Sequence, residues 1–153
     1  MQNLEVLSLI IHCFSTFFMT GLIWQIQVNH YPSFSYVESS QFSQFQHFHM
    51  RSITYVVMPV MLMEVFFGVL ITFHLAEKFK AYQHYLFLNL ALLILIWLST
   101  WFFSVPAHNK LINRKDQKII DRLVQTNWPR TILWTVRSFI LLYLLTQLLI
   151  SGQ

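Results

Sequence analysis

The sequence predicts an all-α, polytopic membrane protein: four transmembrane helices in an antiparallel bundle, with short interfacial helices in loops one and three. Three observations predict it. The chain is 56% hydrophobic and only 10% charged, against about 25% charged residues in typical soluble domains. Four apolar runs, at residues 6–28, 53–75, 86–105 and 131–150, each approach the ~20 residues that cross a hydrocarbon core. Polar residues inside those runs recur at helical spacing rather than in alternation. At 153 residues, the chain 1–153 makes a single domain.

Helix one, residues 6–28, has no basic segment before it and no small-residue cleavage site, so it reads as a retained helix. His12, Thr16, Thr20, Trp24 and Gln27 form a polar stripe along it, leading to Asn29 and His30. Cys13 is the single cysteine, which excludes an intrachain disulfide. Loop one contains Phe42, Phe45 and Phe48 at three-residue intervals, with Ser35 and Glu38 as a capping box, and predicts an interfacial helix. Helix two, residues 53–75, carries Pro59 and Glu64, with Gly68 one turn on where another helix can approach. A short turn, residues 76–85, makes helices two and three antiparallel neighbours.

Helix three, residues 86–105, has no charge. Trp97, Trp101, Ser104 and His108 share a face if the helix continues past Pro106. Loop three predicts a second amphipathic piece capped by Asn113, with Ile119, Ile120, Leu123 and Val124 on its apolar side. Thr126 or Asn127 then caps helix four, with Pro129 in its first turn. Arg130, Trp134 and Arg137 fall on one face of that helix at i, i+4 and i+7. An arginine at the depth of Arg137 costs about 2.5–3.5 kcal/mol on insertion scales unless it faces a partner inside the bundle.

Charge sets orientation. Arg51, Lys110, Arg114, Lys115, Lys118, Arg122 and Arg130 lie on the side of loops one and three, and only Lys78 and Lys80 on the other. The positive-inside rule puts the long loops in the cytoplasm and both termini outside, in a cell inner membrane. The net charge of +4 is explained by this topology and does not point to nucleic acid.

The segments NHYPSF, HMRSITYVVMPVMLME, VPAHNKL and TNWPRTILWTVR resemble those of small four-helix bacterial membrane proteins of no assigned function. More distantly, the second half resembles the anthrone-oxygenase-like membrane family. That family has a proline–asparagine turn after helix three, a Trp/Asn-rich entry to helix four and an arginine on it. These features map onto Pro106, Asn109, Asn127, Trp128, Arg130 and Arg137. The chain departs from the pattern with a histidine at position 108, and its first half matches poorly. The resemblance implies oxidation of an aromatic, quinol-like small molecule.

The residues place a site in the cytoplasmic half of the bundle. Trp97, Trp101 and Trp134 wall it, Glu64 floors it, and His30, His108, Asn109, Asn127 and Arg130 stand at its mouth. Read as an enzyme, Arg130 and Arg137 stabilise an oxyanion, His108 or His30 moves a proton, and Glu64 holds an arginine or acts as a second base. Trp24 is a further wall residue in this reading. Glu64 and Arg137 share one polar network, with a water or a Trp N–H between them.

The cofactor stays open: none, a non-haem metal, or haem between opposed histidines. His30, His108 and one of His47 and His49 are the metal candidates, since His47 and His49 point about 200° apart on one helix. His12, His74 and His84 fall near the outer boundary. The other reading is a non-enzymatic subunit or a lipid- or cofactor-binding protein, in which Glu64 and Arg137 form a structural ion pair. Partners in either case are membrane lipids and a small apolar ligand, with a homo-oligomer or larger membrane complex consistent with so little chain outside the bilayer. No inverted repeat supports transport.

Overall fold

A computed structural model describes residues 2–73 and 80–151. His74, Lys78 and the expected turn at 76–79 lie outside the described residues. Helices α1 (Gln2–Gln25), α2 (Tyr31–Ser33), α3 (Phe42–Phe73), α4 (Gln83–Ser99), α5 (Val105–Leu111) and α6 (Gln117–Ser151) follow in order, and no strand occurs among the described residues. They make four spans long and apolar enough to cross a membrane: Leu4–Tyr36, Phe42–Phe73, Lys80–Leu111 and Gln117–Ile150. The protein is thus an all-α four-helix bundle of multi-pass membrane character.

The amphipathic segments expected in loops one and three are helical, and they continue the membrane helices without a break. Phe42–Phe73 is one helix through Pro59, and Gln117–Ser151 is one helix through Pro129. Each proline removes one rung of the backbone ladder. Asn113 does not cap α6. That role falls to Asp116, whose Oδ1 accepts from the backbone N–H of Lys118 at 3.0 Å and of Ile119 at 3.3 Å. Ser35 closes span one instead of opening a loop helix, in the 3-10 turn Phe34–Tyr36.

Two wide π turns interrupt the ladders, Ile26–His30 between α1 and α2 and Thr100–Ser104 between α4 and α5. Each is followed by one residue and then a proline, Tyr31-Pro32 and Val105-Pro106. A proline ring clashes with the carbonyl four residues back, here that of Val28 or Phe102. Shifting the ladder to i→i+5 at that point relieves the conflict and lets the helix go on. The chain past Pro106 is therefore helix, the condition on which Ser104 and His108 share a face, and not the proline–asparagine turn that the family resemblance implies.

Two apolar cores sit at opposite ends. The larger, at the loop end, gathers Met19, Ile23, Phe34, Phe42, Met61, Ile96, Leu111, Ile120, Leu123 and Trp134. The smaller, towards the termini, gathers Leu9, Cys13, Ile71, Leu86, Leu141 and Leu144. Loop one and loop three are pinned to each other. Lys115 Nζ donates to the carbonyls of Ser35 (2.6 Å) and Val37 (2.8 Å), and Ser43 Oγ donates to that of Ile112 (2.7 Å).

Candidate functional site

Between the two cores lies a buried polar layer to which every span contributes. Glu64 and Arg137 are both 0% exposed and meet directly, Arg137 Nη1 donating to Glu64 Oε1 at 2.5 Å. Thr16 Oγ1 donates to the same oxygen at 3.0 Å, and Trp134 Nε1 to the carboxylate at 3.2 Å. Arg137 also donates from Nε to Asn89 Oδ1 (3.1 Å) and from Nη2 to Thr16 Oγ1 (3.4 Å). Asn89 Nδ2 returns a bond to the Arg137 carbonyl at 3.2 Å. His12 closes the layer at 3.4 Å from Asn89 Oδ1. Gly68 makes room for it, since a Cβ there would stand 3.0 Å from His12 Cε1.

No intermediate separates Glu64 from Arg137, contrary to the depth argument from sequence. By sequence, Glu64 lies about 20 Å along span two from Arg51 and Arg137 about 10 Å along span four from Arg130, but neither reference residue starts its helix. Measured from Phe42 and Gln117, where the helices begin, both residues lie about 30 Å along at 1.5 Å per residue.

The histidines gather one level up, towards the loops. His30 Nε2 and His49 Nδ1 are 2.8 Å apart. His108 is held at both ring nitrogens, Nε2 at 3.0 Å from the Tyr31 hydroxyl and Nδ1 at 3.0 Å from Gln46 Nε2. With Gln46 donating to Nδ1, His108 donates from Nε2 to Tyr31. Phe34 packs edge-on against His30 and His49, at ring separations of 5.3 and 5.1 Å. His47 is exposed. His30, His49 and His108 thus bond to one another or to Tyr31 and Gln46, and among the described residues no group of three His, Cys, Asp or Glu is placed to hold a metal ion.

Beside this cluster a cavity of about 200 Å³ opens between spans two and three. His49, Trp97, His108, Arg130, Tyr31 and Ser104 supply its polar groups, and Ile53, Val57, Met58 and Met61 its apolar wall. Exposed Thr54, Met58 and Val105 form its lateral rim. His49 Nε2, Trp97 Nε1 and Arg130 Nε, all on lining residues, are buried without a hydrogen-bond partner. Arg130 is 5% exposed. It donates to Ser104 Oγ at 2.6 Å and lies 5.6 Å from the Trp134 ring, but no carboxylate among the described residues pairs with it.

Of the residues expected at the site, the structure brings His108, Trp97 and Arg130 to this cavity, with His30 behind His49. Glu64, Trp134 and Arg137 belong to the buried layer below. Trp101 is 70% exposed, because the wide turn Thr100–Ser104 rotates it outward while Ser104 stays in. Asn109 is exposed. Asn127 joins a separate buried group, donating to Gln27 Oε1 at 2.9 Å. Trp24 is partly exposed and packs on Trp128, donating to Thr135 Oγ1 at 2.9 Å.

Asn89, Tyr31 and Gln46 were missed. Asn89 is an uncharged polar residue near the start of the apolar run 86–105, a weak signal in the sequence alone. His12 was assigned to the outer boundary and instead lies in the buried layer.

No known family, curated protein or solved structure matches the chain.

Glu64→Gln or Arg137→Gln alone leaves a buried charge unmatched, and each lowers unfolding free energy by about 3–5 kcal/mol. The double variant Glu64→Gln/Arg137→Gln loses clearly less than the sum. Equilibrium unfolding in detergent measures the cycle; strict additivity would contradict the direct pairing.

Proposed function

We propose that the chain is a membrane-embedded oxidoreductase- or oxygenase-like protein acting on a small apolar aromatic, phenol- or quinol-like substrate. The substrate enters from the bilayer into the cavity between spans two and three. The observation that carries the reading is Arg130: a buried cation with no counter-charge among the described residues, on the wall of a laterally open apolar cavity. An unmatched buried charge is costly. A substrate oxygen accepting from Arg130 and from Trp97 Nε1 removes that cost, most strongly as it becomes anionic.

His49 is the proton acceptor in this reading. When His49 donates from Nδ1 to His30 Nε2, its Nε2 carries the free lone pair. A proton taken at His49 Nε2 is passed on from Nδ1 to His30, which is half-buried at the loop end. Oxidation of a quinol to a quinone releases two protons and two electrons, and dioxygen as co-substrate takes both to form hydrogen peroxide. The resemblance of Arg130 and Arg137 to arginines of the anthrone-oxygenase-like family supports the same substrate class.

The non-enzymatic reading, a lipid- or cofactor-binding subunit, is favoured by one observation. Glu64, the carboxylate at membrane depth, is fully committed to Arg137, Thr16 and Trp134 and is not available as a base.

The chain belongs, in this proposal, to a bacterial inner membrane with loops one and three in the cytoplasm. The cationic excess of those loops supports it. A periplasm-dependent reporter fused after residue 153 is expected to be active, and one active only in the cytoplasm would reverse the topology.

With trimethylhydroquinone as probe, wild-type protein consumes dioxygen and forms quinone. His49→Ala reduces kcat by about a hundredfold or more. Arg130→Gln weakens probe affinity by roughly tenfold or more, the worth of a charge-assisted hydrogen bond. Trp24→Phe changes neither. Quinol binding without turnover in wild-type protein would favour the non-enzymatic reading, and no binding at all would refute both.

A further inference from the structure

The seam between spans two and three does not end at the cavity. It continues as a groove of about 510 Å³ whose lining, Leu62, Val65, Val69, Leu90, Leu93, Ile94, Trp97, Leu98 and Trp101, offers no polar surface beyond the indole nitrogens. Trp97 lines both spaces. On span two the lining passes from Val57, Met58 and Met61 in the cavity to Leu62, Val65 and Val69 in the groove, at helical spacing. On span three it passes from Ser104, Thr100 and Trp97 to Leu93 and Leu90. Leu93 is the buried floor, and Leu62, Val69 and Ile94 are exposed rims. From Met61 to Val69 the groove runs roughly 10 Å further along the bundle, away from the loops, at 1.5 Å per residue.

We infer that the ligand is a phenol or quinone carrying one long hydrocarbon chain, with its ring in the cavity against Trp97 and Arg130 and its chain in the Leu93 groove. This rests on the reading of the cavity as the site for an aromatic oxygen-bearing head and adds the tail. A tail attached to a ring at Trp97 meets a continuous apolar lining along the seam. The cavity walls around the head, Ile53, Val57, Met58 and Met61, suit a ring and not a hydrated phosphate. A tailed ligand also fits the lateral entrance, since it partitions into the bilayer and arrives through the Thr54–Met58–Val105 rim.

The test compares two probes on the full chain in detergent: a methoxylated benzoquinone with no chain, and the same ring bearing a decyl chain. Quenching of intrinsic tryptophan fluorescence reports binding. The decyl probe is expected to bind at least about tenfold more tightly, as burial of several methylenes predicts. Partition into the micelle also favours the longer chain, so the decisive comparison uses Ile94→Phe/Val69→Phe, which fills the groove from its exposed rims. This variant is expected to lose the decyl advantage while keeping wild-type affinity for the chainless ring. An unchanged decyl advantage in the variant overturns the tail assignment and leaves the cavity reading standing. Equal loss for both probes shows damage to the fold; Ile94→Val/Val69→Ala, which widens the groove, must then still bind the decyl probe as wild type or better, or the inference fails. Failure of both probes to bind wild-type protein overturns the inference together with the reading beneath it.

Discussion

The bond between Glu64 and Arg137 is the constraint on which the rest of the bundle depends. Two opposite charges, each at 0% exposure, sit where four helices meet. Such a pair repays its desolvation only when its remaining donors and acceptors are also bonded. Here Thr16 from span one and Trp134 from span four donate to Glu64 of span two, and Asn89 from span three accepts from Arg137. Satisfying one ion pair therefore fixes the rotation and axial register of every span, in a membrane where lipid tails supply no hydrophobic force to do so. The two apolar cores then pack above and below a layer already in register.

That layer also separates two arginines that one helix face presents seven residues apart. Arg137 spends its charge inside the fold. Arg130, two turns nearer the loops, has a serine hydroxyl and an aromatic face, and no carboxylate among the described residues. The difference is positional: span two offers a carboxylate at the level of Arg137, whereas the span-two residues that line the cavity with Arg130, among them His49, Thr54 and the apolar Ile53, Val57, Met58 and Met61, include no acid. The same gap between spans two and three that leaves Arg130 unmatched opens the cavity. The two π turns add to this by carrying the helices past Pro32 and Pro106, so that His108 and Tyr31 reach the same level.

Much of the fold was legible because its causes are local. Run length and composition set the four spans, and the isolated charges at Glu64 and Arg137 announced a buried network by their cost alone. The helix limits were less legible. Pro59 reads as an interruption, Pro129 as a first-turn residue and Pro106 as a turn in the family resemblance, yet each is absorbed, two within long helices and one beside a π turn that no local propensity foretells. This error moved the site residues. With α6 assumed to start near residue 131, Asn127 seemed to stand at the mouth of the site and Arg137 seemed shallow. Asn109 was placed at the mouth of the site with the family resemblance behind it, and on the helix that continues past Pro106 it faces out. Asn89 and Gln46 escaped because an uncharged polar residue carries little weight until its partners are seen, and those partners lie on other helices.

The central claim is that the charge of Arg130 is matched by a ligand oxygen and not by the protein or by lipid phosphate. A density map of the protein extracted in its native lipids, by a polymer that never strips the bilayer, tests this most directly. The account predicts ring-sized density between Trp97 and Arg130, within hydrogen-bond distance of Trp97 Nε1 or the guanidinium. An Arg130 side chain turned out to a lipid phosphate, with the cavity closed by repacking of Met58 and Met61, would contradict it.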